Sequence, residues 1–158
     1  VGYAAEHHFK QYLDKLFILS TKDDDHDRKS KGDRRFYYKG IEYKVEVKSV
    51  QSNSVKKLDD TVKGKVQVDA SDSREIELPN GTKIKTTCLL RDEFDILAVN
   101  LYNLTGRWDF AFIKNKDIPK NNYKKYNEYQ KDHLLPTTVK VEWPLKEPFK
   151  ERIQDVLV

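Results

Sequence analysis

The sequence is short of several things: one cysteine, no methionine, six glycines and five prolines in 158 residues. A lone Cys88 has no partner for an internal disulfide and no companion thiolates for a zinc site, which fits a reducing compartment, so a cytoplasmic location is expected. With no Met anywhere, Val1 is not a translation start, and the natural product is expected to extend further upstream. No apolar run approaches the ~20 residues a membrane span needs, and no basic segment followed by an apolar stretch opens the chain, so no membrane contact is expected. Charge of one sign is scarce too. Thirty Lys and Arg stand against 26 Asp and Glu, a net +4, so any attraction to nucleic acid has to come from local clustering. What is present is a polar chain, 35% charged and 37% hydrophobic, whose nine Tyr, seven Phe and two Trp are enough to build a core. Its length predicts one domain over 1–158.

Ala5, Phe9, Tyr12, Leu13 and Leu16 recur at helical spacing and predict a first helix over Ala4 to Phe17. Ser20 to Gly32 is dense in Asp, Lys and Arg and reads as a solvated loop. From Asp33 to Tyr38 and from Ile41 to Ser49, β-branched and aromatic residues alternate with charged ones around Lys39-Gly40, which predicts a β-hairpin. Val50 to Ala70 is ambiguous: Val55 to Val62 suits a helix turn or two, and Val66 to Val68 a strand. Arg74 to Leu78 and Thr82 to Leu90 flank Pro79-Asn80-Gly81, a second hairpin with Ile76 opposite Ile84. Phe94 to Tyr102 is a nearly continuous apolar run and predicts a central strand; Trp108 to Ile113 alternates, after a break at Asn103 to Gly106. Tyr123 to Leu135 has Tyr126, Tyr129 and Leu134 near helical spacing, Thr137 to Trp143 alternates, and Pro148 to Val158 suits a last helix.

The chemistry is concentrated in the first hairpin. If Lys39-Gly40 is a two-residue loop, Tyr38 faces Ile41, Tyr37 faces Glu42, and Asp33 faces Glu46. Side chains alternate, so Glu46 and Lys48 share one face and Asp33 joins them from the neighbouring strand. The reverse face collects Phe36, Tyr38, Ile41, Tyr43, Val45 and Val47, so the register is favoured by packing alone. Two carboxylates directly across a ladder repel, and a bound divalent cation removes that cost. Mg²⁺ prefers carboxylate oxygens and keeps several waters, so two acids are a reasonable protein share of its shell, and a lysine beside it can offset charge developing on a phosphate oxygen. The triplet acid-any-Lys also occurs at Asp27-Arg28-Lys29 and Glu42-Tyr43-Lys44, but only Glu46-Val47-Lys48 has an acid opposite.

A helix carrying a glutamate, then Asp33, then Glu46-Val47-Lys48 at the end of a mostly apolar strand resembles the PD-(D/E)xK nuclease superfamily, which includes many type II restriction endonucleases. The resemblance covers Gly2 to Ser49 by motif and Phe94 to Ile113 in character. It implies a restriction-endonuclease-like α/β (α+β) core, a mixed β-sheet flanked by helices. It also implies Mg²⁺ held by Asp33, Glu46 and the backbone carbonyl of Val47, with Lys48 as the catalytic lysine. Glu6 resembles the helix-borne acid that some members aim at the metal, against the plainer reading of a solvent-edge glutamate. Gln67 follows the motif strand where related nucleases place a site-lining Gln. Gly32 stands where the superfamily's name has Pro.

Between Arg28 and Lys48 eight basic residues face three acids, and Arg34, Arg35, Lys39 and Lys44 are the candidates for phosphate contact. Lys56, Lys57, Lys63, Lys65 and Arg74 extend that supply. The four histidines read as surface or satisfied groups, and Cys88 as a small core residue. The expectation is a Mg²⁺-dependent endonuclease acting on double-stranded DNA. The alternatives are a DNA-binding or interaction module of the same fold that no longer cuts, and a repair or junction nuclease. Cutting both strands with one site per chain implies a homodimer, or a monomer that nicks in turn.

Overall fold

The computed structural model describes residues 2–16, 20–21 and 34–157. In chain order these form α1 (Gly2–Lys15), β1 (Ser20–Thr21), β2 (Arg34–Tyr38), β3 (Ile41–Ser49), β4 (Lys56–Leu58), β5 (Thr61–Gln67), β6 (Arg74–Glu77), β7 (Lys83–Thr86), β8 (Ile96–Asn100), α2 (Tyr102–Thr105), β9 (Phe110–Lys114), α3 (Glu128–His133) and β10 (Thr138–Trp143). The protein is a mixed α+β fold.

Its main sheet runs β1-β2-β3-β8-β9, antiparallel except for the parallel pair β3 and β8. A parallel pair needs a long crossover. Here the crossover, residues 50–95, carries β4 and β5 of a second sheet ordered β10-β5-β4, together with the β6–β7 hairpin. All five residues of β8 are buried, because the strand is paired on both edges and covered on both faces.

The two faces of the main sheet bury different sets. On one, α1 lays down Ala5, Phe9 and Leu13 against Phe36, Val45, Val47, Ile96, Ala98, Phe110 and Phe112, with Ile153 and Val156 closing the far side. Helix α1 forms because these residues recur every fourth position with no Gly or Pro from Ala4 onward, and Lys10 and Asp14 add an i,i+4 pair at 3.2 Å. On the other face, Leu97, Val99, Ala111 and Ile113 pack against Val66, Val139 and Val141 of the second sheet. A third, smaller cluster holds Ile76, Leu78, Cys88 and Leu134. Cys88 is thus a core residue, as expected.

Several boundaries differ from the sequence expectation, each for a local reason. Val55 to Val62 is no helix: Lys56–Leu58 and Thr61–Gln67 form a hairpin around Asp59-Asp60, with Asp59 at φ 50°. The helix expected over Tyr123 to Leu135 shrinks to α3. Asn121 Oδ1 accepts from the Tyr123 amide and Asn127 caps Gln130 in a reciprocal box, so the polar side chains hold the preceding backbone out of the helix. The last helix is replaced by a 3₁₀ turn at Ile153–Val156, because Lys150 exchanges backbone hydrogen bonds with Phe112 at 2.8 Å instead. Asn103 to Gly106 is not a plain break: it falls mostly within α2, which ends on Gly106 at φ 74°. Ser20–Thr21 of the expected loop pairs with β2. The second hairpin has the expected register, with Ile76 facing Ile84 and Gly81 at φ 85°. Among the described residues, no helix is long and apolar enough to cross a membrane.

Candidate active site

Hairpin β2–β3 turns on Lys39 (φ 51°) and Gly40 (φ 79°), the two left-handed residues of a tight two-residue connection. The resulting pairs run from Tyr38 opposite Ile41 to Arg34 opposite Val45, as expected from the sequence. Asp33 lies outside the described residues, as does His26, so the facing of Asp33 and Glu46 is not among the observed pairs.

The register sorts side chains between the faces. Phe36, Val45 and Val47 go to the α1 side; Ile41, at the hairpin tip, is 56% exposed and contributes little to the core expected there. The other face carries Tyr37, Arg35, Glu42, Lys44, Glu46 and Lys48 in line. Glu42 is engaged near the tip. It accepts from the Tyr37 hydroxyl at 2.8 Å and lies 3.7 Å from Arg35 Nη1. That hydrogen bond holds the Tyr37 phenol above its ordinary value, since losing its proton would set two anions side by side.

Further along the strand, Lys48 Nζ approaches Glu46 Oε1 at 3.6 Å, with the Glu46 side chain 12% exposed and that of Lys48 30%. Their neighbours on β8 are Leu97 and Val99, both fully buried. A carboxylate this far withdrawn from water is costly without a cation beside it, and Lys48 supplies one.

The position of this pair in the sheet is distinctive. Consecutive amides of an extended strand point to opposite edges. The Val50 amide donates to Asn100 on the β8 side and the Gln51 amide to Lys65 of β5, so β5 meets β3 on the same edge as β2. Strand β2 pairs with residues 41–45 and β5 takes over at Val50, which bridges to Val66. Glu46 to Ser49 lie between the described β2 pairs and the bridge to β5. The strand's exit is fixed by Asn100 Nδ2 donating to Ser49 Oγ at 3.2 Å and Asn103 Nδ2 donating to the Val50 carbonyl at 2.6 Å.

The remaining candidates fall as follows. Val47 is buried on the α1 side. Glu6 is half-buried on α1, whose apolar stripe packs on the face of β3 opposite to Glu46 and Lys48. Arg34, expected as a candidate for phosphate contact, is 6% exposed and lies on that same α1 side, away from Glu46 and Lys48. Arg35 and Lys44 face each other on the Glu46 side, and Lys39 sits exposed at the turn, 5.4 Å from the Tyr38 ring. Gln67 lies at the end of β5 next to the site strand, but its neighbour Val66 points inward, so Gln67 points to the outer side, where Gln51 Nε2 donates to it at 3.0 Å. This corrects the expectation that it lines the site. Tyr123 is 51% exposed, whereas Tyr126 and Tyr129 pack against the third cluster. His8, read from sequence as a surface or satisfied group, stacks on Trp108 at 3.9 Å.

The donor set bears on a metal. Among the described residues no three His, Cys, Asp or Glu side chains gather as a metal cluster. Glu46 offers the hard oxygen that Mg²⁺ favours, which fits as one ligand.

No family model and no curated protein matches the chain. It is similar to the solved structure of a bacterial homing endonuclease, I-Ssp6803I, at 16% identity and a TM-score of 0.47, over 84% of this chain and 85% of that one.

Proposed function

We propose that the protein is a metal-dependent DNA endonuclease of the PD-(D/E)xK type, hydrolysing phosphodiester bonds of double-stranded DNA at Glu46 and Lys48. One observation carries the reading: a withdrawn carboxylate and an ammonium, 3.6 Å apart, on the stretch of β3 just before Val50 bridges to β5. A solvated polar hairpin face would leave the carboxylate in water; the Glu46 side chain is only 12% exposed instead.

In this reading Glu46, the Val47 carbonyl and Asp33 would hold Mg²⁺. The ion would supply Lewis-acid polarisation and a nucleophile at neutral pH. Lys48 does the chain's own work: its ammonium orients the attacking water and balances negative charge that grows on the phosphate oxygens. Arg35 and Lys44 flank the pair on the same face and suit the phosphates on either side of the scissile bond.

The test is plasmid and linear duplex cleavage with Mg²⁺ and with EDTA. Glu46→Gln and Lys48→Ala are each expected to lower cleavage by about 10²-fold or more, the size of a missing charge-stabilising group. Glu42→Gln, a matched change on the same strand, is expected to keep it. Equal loss in all three variants with folding intact would refute the assignment.

A further inference from the structure

The second sheet presents a charge pattern that its own stability does not explain. Val66, Val139 and Val141 point inward, so the alternate residues Lys63, Lys65 and Gln67 of β5 and Thr138, Lys140 and Glu142 of β10 share the outer face, with Lys56 of β4 beside them. Two pairs of lysines are direct cross-strand partners: Lys56 opposite Lys63, and Lys65 opposite Lys140. Like charges placed this way oppose sheet formation. Lys63 has Glu142 as its other partner, but Glu142 pairs with Lys146 at 3.6 Å. Among the described residues, none of Lys56, Lys63, Lys65 and Lys140 has a carboxylate within ion-pair distance, and all four are exposed. These four and Lys146 lie at a cleft of about 640 Å³ whose acids are Glu142 and Glu147 and whose floor is apolar, with Ile113, Val141 and Phe149.

We infer that this outer face is a docking surface for the phosphate backbone of duplex nucleic acid, separate from the Glu46–Lys48 pair. Charge complementarity selects a polyanion, since only a row of anions relieves both repelling pairs at once. Composition selects nucleic acid over an acidic protein. Protein interfaces are depleted in Lys and centre on aromatic anchors, whereas this face offers Lys, Gln and Thr, which are phosphate-contacting side chains. Alternate residues on a strand repeat every 6.6–6.8 Å or about that, comparable with successive phosphates along one nucleic-acid strand. The face is tied to the site strand through Gln51, about 10 Å of extended chain beyond Lys48, which donates its amide to Lys65 and its side chain to Gln67. The choice of DNA as the duplex rests on the function proposed above; the polyanion face itself does not.

The experiment is fluorescence anisotropy of a labelled DNA duplex in EDTA across a salt series. Lys65→Gln/Lys140→Gln is expected to reduce the slope of log affinity against log salt by about two, about one for each phosphate that is no longer neutralised. Lys83→Gln/Lys85→Gln on β7, an equal charge change elsewhere, is expected to leave the slope in place. Poly-glutamate is expected to compete far less well than unlabelled duplex. An unchanged slope, an equal fall in the β7 variant, no binding by the wild type, or equal competition by poly-glutamate would each overturn the inference. The two proposals fail separately. Cleavage that persists while the Lys65 and Lys140 changes do nothing removes the docking face alone; lysine-dependent binding by a protein that never cuts removes the nuclease reading alone.

Discussion

Gly64 shows how tightly a single position is held. It sits in β5 opposite Val141, on the inner side of the second sheet, and a Cβ there would come 2.6 Å from Val50 Cγ1 and 3.1 Å from Leu104 Cδ2. Val50 is buried and β-branched, so it cannot swing aside without leaving its rotamer. Gly64→Ala is therefore expected to destabilise the protein by about 1–3 kcal/mol, the usual size of an overpacked core, read as a lower urea midpoint with an unchanged m-value. Residue-level chemistry was legible in the sequence where it depended on near neighbours. Glu46 and Lys48 share a face because strands alternate, and Tyr37 meets Glu42 because a two-residue turn leaves one register. The burial of Arg34 and the outward turn of Gln67 were not legible, since each depends on which face a distant segment covers.

Among the elements, α3 is the one whose ends matter most. At six residues it is too short to be stable on its own, and the Asn127–Gln130 box holds its first turn. Asn127→Ala is expected to cost about 1 kcal/mol, measurable by thermal or urea unfolding. Glu128, at the start of the same helix, is held below its ordinary value of 4.5 first by a hydrogen bond from Lys120 and then by the nearby charges of Lys120 and Lys131. A depressed carboxylate stabilises the fold fully above its unfolded value. That contribution fades as pH falls below about 4.5 and through the folded value. Unfolding curves of Glu128→Gln and wild type are therefore expected to converge as pH is lowered through that range. Turn chemistry made the two tight hairpins readable in advance. The short helices were obscured by side-chain caps, and β4 and β5 by a charged stretch, Lys56 to Asp60, that suits helix and strand equally.

At the scale of the molecule, the parallel pairing of β3 with β8 forces the chain through a long crossover before it can close the main sheet. Strand β8 has both edges paired and both faces covered, so its amides should exchange with the global unfolding free energy. Native-state hydrogen exchange is expected to rank Leu97 to Val99 slowest and the β6–β7 hairpin, paired only within itself, much faster. The mixed α+β class was readable from the order of elements. The lysine face was not: Lys140 comes from a strand far along the chain, and only the pairing of β10 with β5 sets it beside Lys65. Because Val50, directly after β3, bridges to Val66 of β5 and Gln51 donates its amide to Lys65, Lys48 and Lys65 belong to one hydrogen-bonded frame. The frame acts as a ruler. If nucleic acid lies on both, the number of nucleotides between the bond that is cut and the farthest one gripped is built into the backbone, and lengthening a surface loop will not change it.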